Sequence, residues 1–216
     1  MKALWIAVGC GASVLVAAGL TAGPGASTPP ATVQSAPSPA LGSTAMRRNG
    51  RIFLTDAQLR QALKSGTVDR PIKSLLAVER PMKFGDYEWN DAAVPAGPTW
   101  IRVDLKSQIM SVFRSGQEIG TAVIVYGGDN KETPVGKLHI LAKARNHRSS
   151  LYDAEMPYTL RLTGDGVSIH GSSVQWGAAT HGCIGVPLDF AERLFDATRV
   201  GDEVTIVPAS AGQRRS

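Results

Sequence analysis

From Trp100 the chain settles into a period of two, with Ile101, Val103 and Leu105 alternating with Arg102, Asp104 and Lys106. Alternation sends apolar residues to one face of an extended segment and charged ones to the other, so it predicts a half-buried strand. Ser107-Gln108 turns the chain into Ile109 to Phe113, and Ser115-Gly116-Gln117 turns it again into Ile119 to Tyr126, a hairpin series. Gly127-Gly128-Asp129-Asn130 reads as a loop, and Thr133-Pro134-Val135-Gly136 as a rigid turn entering a strand over Lys137 to Ala142. Thr159 to Leu162 and Val167 to His170 flank the turn Gly164-Asp165-Gly166, and Val204 to Val207 is a last strand. Only Pro187 to Thr198 in this half has helical spacing (Leu188, Ala191, Leu194, Phe195), with Pro187 in its first turn. Many short strands and one helix after Cys183 predict a mostly β sandwich or barrel.

The chain ahead of these strands divides by composition. Lys2 followed by an apolar run from Ala3 to Leu20 reads as an export segment over residues 1–22, either a cleaved signal or an anchor in the inner membrane through residues 3–20. Gly23 to Ala45 is almost wholly Gly, Pro, Ser, Thr and Ala, which bury too little apolar surface to offset ordering entropy, so residues 23–45 are expected to be a disordered linker. An export segment followed by a tether places the folded part in the periplasm or cell envelope. Residues 46–97 read as a small covering segment. Thr55 caps a short helix there with Leu59 and Leu63 on one face and Gly66 beyond its end, and Ile72 to Val78 forms a second short element. Phe84, Tyr87 and Trp89 are expected to pack on the domain that begins at residue 98, and residues 209–216 to form a frayed tail.

The chemistry concentrates between Ser168 and Ile184, which hold two of the four histidines and the only cysteine besides Cys10 in the apolar leader. Cys183 sits in Thr180-His181-Gly182-Cys183, read as a glycine-bearing turn entering a helix, where backbone N–H groups would cradle an oxyanion and lower the thiol pKa. His170 ends a strand before Gly171, whose carbonyl is placed to orient the ring of a general base. His181 would share a face with Cys183 in a continuous strand, but a turn removes that guarantee. A zinc site built from His170, His181 and Cys183 with His139 or His147 is the competing reading. The absence of C-x-x-C and H-x-x-x-H spacing argues against it. Neither G-x-G-x-x-G nor G-x-x-x-x-G-K-[ST] occurs, so no metal or other cofactor is expected. A net charge of +5 without a long Lys/Arg block predicts no nucleic-acid partner and suits an anionic envelope.

At these residues the chain resembles the L,D-transpeptidase family, the YkuD-type catalytic domain. The resemblance rests on His170-Gly171 followed by a spacer and Thr180-His181-Gly182-Cys183, and extends over about half the chain, residues 98–208. Ile101 to Leu105 with Gln108, Thr133-Pro134-Val135-Gly136, the helix after the cysteine and Gly201 to Ile206 resemble further family landmarks. It implies a cysteine enzyme acting on peptidoglycan stem tetrapeptides. Cys183 would be the nucleophile, His170 the base, Gly171 its orienter, and the backbone of His181, Gly182 and Cys183 the oxyanion hole. Tyr158, Thr180 and Trp176 would contact substrate, Trp176 by closing part of the pocket.

Two departures stand out. Family members commonly carry Arg, sometimes Asn, where this chain has Gly185, and the spacer from His170 to His181 is a few residues shorter than usual. Three outcomes are compatible with the same residues: transfer to a second stem or another acceptor, hydrolysis by an L,D-carboxypeptidase or amidase, and a non-catalytic module that binds wall peptides.

Overall fold

The alternating segment becomes the centre of the largest sheet. The computed structural model describes residues 46–128, 131–149, 153–178 and 180–208, so the leader, the linker and the tail fall outside the described residues. In chain order the elements are β1 (Met46–Arg48), β2 (Arg51–Phe53), α1 (Asp56–Lys64), β3 (Ser74–Leu76), β4 (Tyr87–Trp89), β5 (Thr99–Asp104), β6 (Ile109–Arg114) and β7 (Gln117–Val123). After these come β8 (Gly136–His139), β9 (Ala142–Ala144), β10 (Thr159–Arg161), β11 (Ser168–Gly171), β12 (Ile184–Val186), α2 (Leu188–Ala197) and β13 (Glu203–Val207).

Among the described residues nine strands form one sheet in the order β1-β2-β3-β7-β6-β5-β13-β8, with β4 also paired to β7. Four form the second, β12-β11-β10-β9. Strand β13 runs parallel to β5 and antiparallel to β8, so it is inserted between the strand that opened the pattern and the edge strand β8. Between the two sheets lies one core, to which Ile101, Val103, Met110 and Val112 contribute from one side and Leu160, Ile169, Ile184 and Val186 from the other. Of the expected mostly β sandwich or barrel, the two packed sheets are the sandwich.

The segment before residue 98 is woven into this sheet, since β3 pairs parallel and β4 antiparallel with β7. Its helix forms as its sequence requires: Thr55 accepts from the Gln58 N–H while the Gln58 side chain accepts from the Thr55 N–H, a reciprocal capping box. The segment also changes the burial expected for β5. Trp100 and Phe113 stack ring on ring at 4.1 Å on the face away from the main core, over Ala62, Val68 and Ile72. Both faces of β5 are therefore covered. Arg102 is only 9% exposed, its guanidinium donating to Asp104 and to the Gly66 carbonyl, so the strand is buried rather than half-buried.

Helix α2 packs against β10, β11 and β7. Its buried stripe is Phe190, Ala191 and Leu194, whereas Leu188, expected on that face, is 52% exposed at the first turn. Phe190 receives Trp89 edge-on at 5.5 Å and Tyr87 at 5.9 Å. Burying a phenyl ring fully contributes about 1.5–3 kcal/mol, so this contact ties β4 to the helix that comes after the cysteine.

Candidate active site

Strands β11 and β12 run parallel, with Ile169 opposite Ile184 and His170 opposite Gly185. Ile169 and Ile184 both point into the core, 1% and 0% exposed. Alternation then puts Ser168, His170 and Gly185 on the opposite face, and Cys183, one residue before β12, joins them beside Ser168. Neighbouring strands lie about 4.8 Å apart and two residues span about 6.6 Å, so His170 and Cys183 are diagonal neighbours on one face. His181 does not share it: Gly182 has φ +91°, which breaks the alternation, and His181 is exposed in the turn.

The His170 ring is set by its immediate neighbour. His170 Nδ1 lies 2.9 Å from the Gly171 carbonyl oxygen. A carbonyl only accepts, so Nδ1 carries the proton. Burial holds the imidazole pKa below its ordinary 6.5, against the raising effect of the Gly171 hydrogen bond and with a small contribution from His147 in the same lowering direction. The ring is neutral, and Nε2 keeps its lone pair as a proton acceptor.

Cys183 is partly exposed, and its thiol donates to the Gly166 carbonyl at 3.9 Å. From sequence it is expected at a turn into a helix with a lowered pKa, and the structure corrects both points. Strand β12 separates Cys183 from α2, so no helix terminus faces the sulfur. Burial pushes the thiol above its ordinary 9.0, opposed by the Ser168 backbone hydrogen bond and the Lys131 charge, with Asp165 adding to the rise. The imidazole of His170 and the thiol of Cys183 therefore rest as a neutral pair rather than as a preformed ion pair.

The turn carrying the cysteine is clamped by the chain beyond β7. Thr180 N donates to Tyr126 O and Gly128 N to Thr180 O, both at 3.1 Å. Val125 and Gly185 exchange two backbone bonds at 3.0 and 2.8 Å. The Thr180 hydroxyl donates to the Cys183 carbonyl. Thr133, read from sequence only as part of a rigid turn, is 5% exposed and inserts its hydroxyl here, accepting from Gly127 N at 2.9 Å and donating to Gly182 O at 3.1 Å. The Thr-Pro pair marks the turn, but nothing in local sequence points to a carbonyl 49 residues away.

The remaining expected site residues are dispersed around this centre. Gly171 lies at the end of β11, its N–H donating to Pro157 O at 2.8 Å, and a Cβ there would come within 2.9 Å of Leu188. Trp176 is 45% exposed and packs edge-on against Phe84 at 5.7 Å. Tyr158 donates its hydroxyl to Glu192 at 2.9 Å and sets its ring against Phe195, so its side chain is held by α2. At Gly185 a Cβ would lie 2.7 Å from Val125 Cγ2 and 2.9 Å from Ser172 Cβ, so these two side chains fill the space of the missing one. His139 sits on the edge strand β8 of the other sheet, and among the described residues no three His, Cys, Asp or Glu side chains converge as a metal cluster would require.

Three comparisons bear on this geometry. The YkuD family, described as the L,D-transpeptidase catalytic domain, matches residues 98–206. L,D-transpeptidase 1 of Mycobacterium tuberculosis (strain ATCC 25618 / H37Rv) is 28% identical over 120 residues, 48% of each chain, so this chain spans about half the length of the curated relatives it matches. The crystal structure of an L,D-transpeptidase from Stackebrandtia nassauensis is similar in fold, with a TM-score of 0.50 at 22% identity over 55% of this chain and 60% of that one. That of Mycobacterium tuberculosis L,D-transpeptidase 1 aligns with a TM-score of 0.47 at 25% identity, covering 51% of this chain and 62% of its own.

Proposed function

Because the chain belongs to the YkuD family of L,D-transpeptidase catalytic domains, we propose that it is a cysteine-dependent acyltransferase acting on peptidoglycan stem tetrapeptides. The observation that carries the reading is the Nδ1 contact of His170 with Gly171 O at 2.9 Å, which leaves Nε2 as a base on the face shared with Cys183. Cys183 attacks the carbonyl of the third stem residue as its proton passes to His170. The backbone N–H groups of the His181-Gly182-Cys183 turn receive the developing oxyanion. Collapse expels the terminal D-alanine, whose amine takes the proton back from His170, and leaves a thioester on Cys183. An amine of a neighbouring stem then attacks the thioester, giving a 3-3 crosslink and regenerating the thiol.

Trp176 and Thr180 are assigned to the walls of the donor groove, Trp176 through its exposed ring propped on Phe84, whereas Tyr158, expected there from the sequence, is held against α2 on the core face. The protein acts in the periplasm or cell envelope, exported or held at the inner membrane by residues 3–20.

The test is incubation of the protein with purified disaccharide-tetrapeptide and mass spectrometry of the products, beside a Cys183→Ala control. Dimers lacking one D-alanine, absent from the control, are the expected product. Tripeptide monomer alone would assign a hydrolase, and no product from either protein would leave a wall-binding module.

A further inference from the structure

Thr133 lies outside the stretch that carries the nucleophile and base, yet its hydroxyl ends on the turn between them. We propose that Thr133 is a positioning residue that aims the Cys183 N–H at the acyl oxygen under attack. This role rests on the proposed function, in which Cys183 is the nucleophile.

One peptide plane links the two residues. In a trans peptide the carbonyl of Gly182 and the N–H of Cys183 point in opposite directions within one rigid plane. Whatever holds the carbonyl therefore sets the direction of the N–H. Thr133 Oγ1 donates to Gly182 O at 3.1 Å, and its own lone pair is taken by the Gly127 N–H at 2.9 Å. A hydroxyl has a single proton to give, so with Gly127 on the accepting side that proton is committed to Gly182.

Such an anchor is needed at this position. Gly182 has φ +91°, a conformation that glycine adopts freely and from which its flanking planes rotate at little cost. The plane on the other side of Cys183 is held too, its carbonyl accepting from Thr180 Oγ1. Two threonine hydroxyls thus fix both peptide planes that flank the nucleophile. Cys183 precedes β12, so its N–H lies outside that strand's ladder. The anchor leaves no slack, because a Cβ on Gly127 would lie 2.8 Å from Gly182 Cα and 2.3 Å from Lys131 O. A nucleophile's own backbone N–H is a recurrent oxyanion donor, and a donor of this kind acts only when aimed before the reaction begins.

The experiment separates reactions that need an oxyanion hole from those that do not. Acetylation of Cys183 by p-nitrophenyl acetate forms an S–C bond, passes through an oxyanion and expels p-nitrophenolate while the thiol proton goes to His170. Alkylation by iodoacetamide displaces iodide with no such intermediate. Both are tracked by mass spectrometry of the Cys183 peptide in the full-length protein and in Thr133→Val, Thr133→Ala and Thr133→Ser. Misaiming one oxyanion donor is expected to slow acetylation about 10- to 100-fold in the Val and Ala variants. Alkylation should stay near the wild-type rate, and Ser, which keeps the hydroxyl, should acetylate near the wild-type rate.

Equal loss of both reactions in Val or Ala would mean that Thr133 merely holds the loop, and would overturn the proposal. So would wild-type acetylation without the hydroxyl. If Val and Ala do not fold, the Ser variant still decides, since slow acetylation with intact alkylation there would contradict the claim. The readout uses no wall peptide, so failure of tetrapeptide turnover leaves it standing as a separate result.

Discussion

The carboxylate of Glu118, near the start of β7, accepts the backbone N–H of Leu76 in β3 at 2.8 Å, inside the junction between the N-terminal segment and the main sheet. Arg51 is buried beside it, but its guanidinium donates to the carbonyls of Glu118 and Asn90 rather than to the carboxylate. Burial, only partly offset by the Ser111 and Leu76 hydrogen bonds and the Arg51 charge, raises the Glu118 pKa from 4.5 to about 7. Between those values the folded chain keeps a proton that the unfolded chain has lost, so stability falls as pH rises through this window and levels off above about 7. A shift of this size corresponds to roughly 3 kcal/mol. Urea midpoints of the wild type should decline from pH 5 to pH 8 relative to those of Glu118→Gln, whose amide oxygen still accepts from Leu76. Parallel curves for the two proteins would refute the assignment.

Under the proposed mechanism, the neutral His170–Cys183 pair predicts a flat-topped pH profile. His170, with its pKa held below 6.5 by burial, stays a competent base into acid, and Cys183, pushed above 9.0 by burial, keeps its proton into alkali. Acylation should therefore have an acid limb below 6.5. Iodoacetamide alkylation of the resting enzyme should rise with a midpoint above 9.0. His170→Asn should cost acylation about 10²–10⁴-fold, the usual contribution of a positioned base. An alkylation midpoint near neutrality would instead reveal a preformed thiolate.

Lys131 and Asp165 are joined at 3.1 Å and act on the thiol with opposite sign. The lysine charge favours thiolate and the aspartate disfavours it. Lys131→Gln should move the alkylation midpoint further up, and Asp165→Asn should move it down. Because both groups are partly exposed, added salt should shrink both displacements. Shifts in the same direction for the two variants would show that they act through loop structure and not through charge.

Local chemistry makes much of this fold legible. Thr55 as N-cap, with Leu59 and Leu63 on one face, announces α1, and the alternation from Ile101 announces β5 with its hairpin partners, because those signals lie within a few residues of one another. Ile184 to Val186 is too short to show a period, so β12 stays hidden in the sequence and Cys183 is set against a helix that starts only at Leu188. Arg102 looks solvent-facing because the group that receives it is the carbonyl of the Gly66 turn, whose approach no local pattern records. At the site, His170, Gly171 and Cys183 stand out as residue types that chemistry demands. Thr133 does not, because its role exists only once the loop after β7 is folded over the turn at Gly182.

Gly185 gives the sharpest test of how closely the strands beside Cys183 are packed. It faces His170 across the parallel pair and exchanges backbone hydrogen bonds with Val125, so it joins β11 and β12 to the chain just beyond β7. Replacing a strand glycine by alanine ordinarily gains stability, by roughly 0.5–1 kcal/mol. Here the new Cβ would lie 2.7 Å from Val125 Cγ2 and 2.9 Å from Ser172 Cβ, closer than packed carbons approach. Overpacking of this kind costs about 1–3 kcal/mol, so the sign should reverse and Gly185→Ala should lower the urea midpoint. Ser172→Gly in the same chain should recover part of the loss, a coupling expected of residues in contact. Displacing β12 from Val125 would also shift Cys183 relative to His170, so acylation in Gly185→Ala should fall while alkylation of the thiol persists. A stabilised Gly185→Ala protein with full acylation would mean that Val125 and Ser172 yield freely and that the space at this position was never closed.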